Sequence, residues 1–176
     1  MKILIFTEGT IIMHKTAIGH SRKEIIKQVK DKQESVHDYK SYVPIGDAVK
    51  KLRNWKNDGA EILYLTSRRK IEEIKQIQNV LKKFKFPDGK LLFRQKDEEY
   101  RDVAEKIIPD VLVEDNCESV GGIEEMTITH IEPKIKKKIK SIPIKEFGGI
   151  DHLPDKISMF VQKSVKGKAD GKLRCP

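Results

Sequence analysis

Between residues 44 and 115, short apolar runs alternate with longer stretches of helical spacing, and no other feature limits the fold so strongly. Ala60–Leu65, Leu91–Phe93 and Val111–Val113 are dominated by aliphatic and aromatic residues with no polar face, as befits strands covered on both sides. Between them, Ile45, Ala48, Val49, Leu52 and Trp55, and then Ile71, Ile74, Ile77, Val80, Leu81 and Phe84, recur at the spacing of one helix face. Asn57-Asp58-Gly59 and Pro87-Asp88-Gly89 stop these two helices, and Pro109 stops a third over Asp97–Ile108. With the apolar run Lys2–Phe6 as the first strand, the order is strand, helix, strand, helix. That order requires crossover connections and a parallel sheet with helices on both faces. The expected fold class is α/β, Rossmann-like, with the first strand in the middle of the sheet.

The alternation is broken by residues 11–43. This segment holds His14, His20 and His37, and Ser21 with Glu24 three positions on forms a capping box for one helix. It reads as a small helical insertion after the first strand. Beyond residue 120 the pattern weakens: Met126–Ile131 and Ser141–Phe147 are expected strands, and Leu153–Val161 a closing helix. The tail from Ser164, rich in Lys, Gly and Asp, is expected to be disordered. The expectation is therefore one domain over residues 1–163, with 11–43 inserted into it and 164–176 outside it.

The net charge of +9, from 36 Lys and Arg against 27 Asp and Glu, raises nucleic acid as a partner. The lysines are scattered over helical stretches, however, and gather only in Lys134–Lys140 and Lys163–Arg174, with few aromatics between them to stack bases. A solvated, solubilising surface is the better reading, with weak polyanion binding and attraction of phosphorylated substrates as the alternatives. No apolar run approaches the roughly 18–20 residues of a membrane span, and the chain opens directly on a strand rather than a leader. A cytoplasmic protein with Cys117 and Cys175 reduced is expected.

In a parallel sheet, ligands bind beyond the carboxyl ends of the strands. The residues there are Phe6, Thr7, Glu8, Gly9 and Thr10; then Thr66, Ser67 and Arg68; then Arg94, Gln95 and Lys96; and finally Glu114, Asp115 and Asn116. Hydroxyls and a lysine suit phosphoryl oxygens, and a pair of hard carboxylates suits Mg²⁺. Each has a plainer role available: Thr66-Ser67 as a helix cap, and Lys96 as surface charge beside Asp97. The adjacent pair Glu114-Asp115 is harder to place without a cation, because the two charges repel.

In this order the runs Phe6-Thr7-Glu8-Gly9-Thr10, Leu63–Arg68, Lys96 and Val111–Asn116 resemble the four motifs of the haloacid dehalogenase superfamily of phosphohydrolases. The likeness spans roughly residues 1–120, with the insertion where that family carries a cap. The resemblance implies that Thr66, Ser67 and Lys96 hold a phosphoryl group. It also implies that Glu8 stands at the acid/base position and that Glu114 and Asp115, with Glu8, bind Mg²⁺. It further implies an aspartate nucleophile, and here the sequence departs: Phe6 occupies that position. Strand alternation puts Phe6 and Glu8 on one side and Thr7 on the other, so a shift of register does not restore a nucleophile.

Three readings follow. The first is a phosphoester-binding protein with a weak Mg²⁺ site and no covalent phosphatase activity. The second is a phosphohydrolase that works through a metal-bound water, with Glu8 as base. The third is a polyanion- or nucleic-acid-binding protein on the same fold. His14, His20, His37, Lys15 and Arg22 are candidates for the mouth of the site, although no histidine pair has metal-helix spacing. Cys117, among acidic neighbours, reads as packed rather than reactive.

Overall fold

The computed structural model describes residues 1–160. Its elements, in chain order, are β1 (Lys2–Phe6), β2 (Ile12–Met13), α1 (Arg22–Lys30), β3 (Val43–Pro44), α2 (Ala48–Asn57), β4 (Glu61–Leu65), α3 (Ile71–Lys83) and β5 (Lys90–Leu92). They are followed by α4 (Tyr100–Ile107), β6 (Val111–Asp115), α5 (Thr127–His130), α6 (Pro133–Lys136) and β7 (Lys140–Ile144). Five strands form one sheet in the order β5-β4-β1-β6-β7, every pair parallel, with β1 at the centre. The α/β class and the central first strand are as the sequence pattern requires.

Strand alternation divides the core in two. Ile3 and Ile5, Ile62 and Tyr64, and Val111 and Val113 face one side, where Ala48, Leu52 and Trp55 of α2 and Ile77, Val80 and Leu81 of α3 cover them. Leu4, Leu63, Leu65 and Leu112 face the other, under Val103 and Ala104 of α4 and Ile128 of α5. Each strand of the central three is thus apolar on both faces, which is why its sequence shows no polar alternation.

The insertion leaves and rejoins the core through the antiparallel pair β2–β3. Its helix α1 opens on the expected capping box, with the Ser21 side chain accepting from the Glu24 backbone N–H and the Glu24 carboxylate accepting from Ser21 N–H. Arg22 on α1 reaches Glu118, in the loop after β6, at 2.5 Å and ties the insertion to the core. Tyr39 and Tyr42 are buried against the α2–α3 side of the sheet.

Two expectations are overturned. Met126–Ile131 is not a strand: Thr127–His130 is a helical turn, and the Glu114 carboxylate accepts from its first backbone N–H groups, Thr127 at 2.8 Å and Ile128 at 3.0 Å. A carboxylate at a helix N-terminus satisfies donors that have no partner within the helix. The β-branched run therefore coils although its composition favours extension. The closing helix expected over Leu153–Val161 is not formed either: residues 153–156 are irregular, and a 3₁₀ turn over Ile157–Phe160 follows them. Val161, the tail from Ser164 and Cys175 lie outside the described residues. Among the described residues, no helix is long and apolar enough to cross a membrane.

Candidate functional site

Beyond the carboxyl ends of β1, β4, β5 and β6, a cavity of about 420 Å³ lies between the sheet edge and the insertion. The sheet supplies Phe6, Glu8, Ser67, Arg68, Arg94 and Asp115, and the insertion supplies Val29, Val36, His37, Tyr39 and Tyr42. The position is the one expected for a ligand of a parallel sheet.

Glu8 is the most heavily bonded carboxylate in this cavity. Its Oε1 accepts from the Thr66 hydroxyl at 2.7 Å and stands 3.2 Å from Arg68 Nε. Its Oε2 accepts from the Ser67 backbone N–H at 3.3 Å and from the Thr7 hydroxyl. Thr7 is fully buried and does not line the cavity. Phe6 and Glu8 both line the cavity.

Asp115 closes the floor. Thr10 donates to its Oδ2 at 3.0 Å, and the Cys117 backbone N–H donates to its Oδ1 at 2.9 Å. Gly9 is required here twice over: its φ of +79° suits glycine, and a Cβ would sit 2.8 Å from Asp115 Oδ2. Glu146, just beyond the end of β7, accepts from the backbone N–H and the hydroxyl of Ser119, each at 2.6 Å. Burial raises the pKa of Asp115 above the usual carboxylate range, and the charge of Glu8 adds to the effect. Burial likewise raises that of Glu146, assisted by Asp115. The thiol of Cys117 is pushed up to about 12 by burial and then by Asp115, so it is an unreactive packing group.

The two arginines lie over tyrosine rings. The Arg68 guanidinium is 4.7 Å from the centre of the Tyr39 ring, and that of Arg94 is 3.7 Å from the centre of the Tyr100 ring. Tyr100 also packs edge-on with Phe6, ring centres 5.2 Å apart.

Of the residues singled out from sequence, the structure brings Phe6, Glu8, Thr66, Ser67 and Asp115 together. Two do not join them. Lys96 is exposed and does not line the cavity, which takes its cation from Arg94 two positions earlier. Glu114 is 2% exposed and uses both carboxylate oxygens on the N-terminus of α5. Among the described residues, no group of three or more His, Cys, Asp or Glu side chains is placed to hold a metal ion. The donor set therefore does not fit a Mg²⁺ centre: Phe6 offers no ligand, Glu114 is engaged elsewhere, and Asp115 and Glu146 are bonded to protein donors.

Of the histidines, only His37 lines the cavity. His14 is buried, held by Gln28 at 2.7 Å between Tyr42 and Phe147, while His20 is exposed. Arg22 is engaged with Glu118, and Lys15 is exposed. Glu146 and Phe147 follow the fifth strand of the sheet, which ends at Ile144; the sequence pattern carries that strand on to Phe147, so the strand-end rule passes over them. Tyr39 and Tyr42 carry no signal either, because they lie in an insertion without periodicity.

No family model matches the sequence, and no curated protein matches it significantly. Two solved structures share its fold. One is a class C acid phosphatase from Bacillus anthracis with tungstate bound, with a TM-score of 0.51 at 12% identity over 84% of this chain and 68% of that one. The other is a chain of a Pnkp1/Rnl/Hen1 complex, with a TM-score of 0.50 at 13% identity over 82% of this chain and 46% of that one. This chain thus spans less than half the length of the second. At these identities the likeness is one of fold alone.

Proposed function

We propose that the cavity binds a small phosphorylated molecule and does not hydrolyse it through a covalent intermediate. One observation carries this reading: the Thr66 hydroxyl, the Ser67 backbone N–H and the Arg68 guanidinium converge on a single carboxylate, that of Glu8. A hydroxyl, an amide and a flat cation aimed at one oxyanion make an anion cradle, and charge-assisted bonds of this kind are the strong ones. In this reading Glu8 swings aside and the ligand's phosphoryl oxygens take its place, with Arg94 as the second cation. That a structure of similar fold holds tungstate, a tetrahedral oxyanion, agrees with this. Phe6, in the nucleophile's position, can neither attack phosphorus nor coordinate a metal.

The reading with Glu8 as base for a metal-bound water has less support. Its carboxylate is already surrounded by donors, and the carboxylates around it do not make a metal centre. Besides Glu8, the carboxylates lining the cavity are Asp115, Glu125 and Glu146, which are not grouped as a metal centre, and any Mg²⁺ binding is expected to be about millimolar at best. The polyanion reading places its charge elsewhere. Lys134–Lys140 leads into the amino end of β7, whereas the cavity lies beyond the carboxyl ends of the strands.

The test is calorimetric titration with orthophosphate and tungstate, alongside a stopped-flow assay with p-nitrophenyl phosphate. The expected result is saturable oxyanion binding that is lost in Arg68→Ala, with no burst of nitrophenol. A stoichiometric burst, or binding indifferent to Arg68→Ala, contradicts the reading.

A further inference from the structure

The chain is poor in aromatic residues, with six Phe, four Tyr and one Trp. Yet Phe6, Tyr39, Tyr42, Tyr100 and Phe147, half of its ten Phe and Tyr residues, line this one cavity. A core that merely needed apolar filling would draw on the aliphatic residues that build both faces of the sheet, whereas the only aliphatic lining residues here are Val29, Val36 and Val120.

The tyrosines do not present their hydroxyls as free polar contacts. Tyr39 Oη accepts from Arg68 and lies 3.3 Å from His37 Nδ1; Tyr42 Oη donates to the Val36 carbonyl at 2.7 Å; Tyr100 Oη donates to the Ser67 carbonyl at 3.5 Å. With the hydroxyls engaged by protein, ring surface is what these residues contribute to the cavity wall. Arg68 and Arg94, over the rings of Tyr39 and Tyr100, extend that wall with planar cations. A guanidinium plane and a ring face both favour a flat π-system over an aliphatic chain.

Resting on the phosphoester reading above, we infer that the ligand is an aromatic phosphoester, its anion on the Thr66–Ser67–Arg68 cradle and its planar ring among Phe6, Tyr39, Tyr42, Tyr100 and Phe147. About 420 Å³ lies within the usual size range for small-molecule pockets and accommodates a phosphoryl group with an attached ring system. Phe6 thereby has a positive role. The substitution that removes a nucleophile adds a ring to the wall. Because Tyr39 and Tyr42 belong to the insertion, that segment would select the ring while the sheet edge selects the anion.

The experiment titrates the full chain with orthophosphate, glycerol 3-phosphate and phenyl phosphate by calorimetry. Ring-proton shifts of phenyl phosphate are followed by NMR. Phenyl phosphate should bind at least about tenfold tighter than glycerol 3-phosphate, and its ring protons should move upfield on binding as they enter the ring currents of the wall. In Tyr100→Leu, or in Phe6→Leu if the first variant does not fold, the preference should fall below about threefold. Equal affinities for the two esters in the parent, with unshifted ring protons, overturn the aromatic inference and leave phosphate binding standing. If none of the three probes binds, the phosphoester reading itself fails and this inference with it.

Discussion

Changing Glu8 to Gln isolates what the cradle does when its internal occupant loses its charge. In the parent, the Glu8 carboxylate accepts from Thr7, Thr66 and Ser67 and pairs with Arg68, with only 11% of its side chain exposed. The glutamine keeps the shape but turns two charge-assisted contacts into neutral ones, and its amide nitrogen cannot accept from Ser67 N–H. Charge-assisted bonds contribute about 1.5–3 kcal/mol each against about 0.5–1.5 for neutral ones, so the unliganded variant should lose about 2 kcal/mol. For a domain of this size that corresponds to a fall in Tm of about 4–8 °C. Ligand binding should move the other way. An oxyanion entering the cradle of the parent meets a unit negative charge about 4 Å away, a repulsion of about 4 kcal/mol at an effective dielectric constant near 20. If Glu8 swings into solvent it escapes most of this, yet removing even a third of it tightens binding about tenfold. The assay is calorimetric titration of parent and Glu8→Gln with orthophosphate, beside thermal unfolding without ligand. Tighter phosphate binding together with a lower Tm is the expected pair. Binding no tighter than in the parent refutes the view that Glu8 occupies the ligand's place.

Arg94→Ala should weaken orthophosphate binding by about tenfold, whereas Lys96→Ala should leave it within about twofold of the parent; equal effects in the same titration would reinstate Lys96. Glu114→Gln should cost about 1–3 kcal/mol in urea unfolding, because a buried carboxylate that caps two amides is replaced, while phosphate affinity stays unchanged. For Asp115, burial and then Glu8 raise the folded-state pKa, so the folded protein holds this proton more tightly than the unfolded chain. The charged form therefore opposes folding at neutral pH, and the opposition fades as pH falls to the ordinary aspartate value near 4. Asp115→Asn keeps an acceptor for Cys117 N–H and lets the Thr10 hydroxyl turn to accept. Its Tm should thus exceed that of the parent at about pH 7 and converge on it near pH 4; a gap that widens on acidification would reverse the assignment.

The sheet was legible because its signals are local. Strands covered on both faces must be apolar throughout, and helix stops such as Asn57-Asp58-Gly59 act within a turn. What escaped depends on groups distant along the chain. The run Met126–Ile131 reads as extended by composition, but the deciding partner is Glu114, more than a dozen residues earlier, whose carboxylate satisfies the amides of Thr127 and Ile128. The same contact explains the misreading of Glu114 itself. Two adjacent carboxylates at the end of a buried strand suggest a cation when the amides that neutralise one of them are out of view. Lys96 and Arg94 differ in the same manner: both follow β5, and it is the Tyr100 ring beneath Arg94 that draws its guanidinium to the cavity. Alternation did place Phe6 and Glu8 together, and the consequence appears only with the neighbours in position. A donor set built around an anion is costly to leave empty, since buried donors without acceptors lose their hydration for nothing in return. On the reading proposed above, Glu8 fills that set from within, and a phosphoryl ligand that enters must displace a carboxylate of its own charge sign.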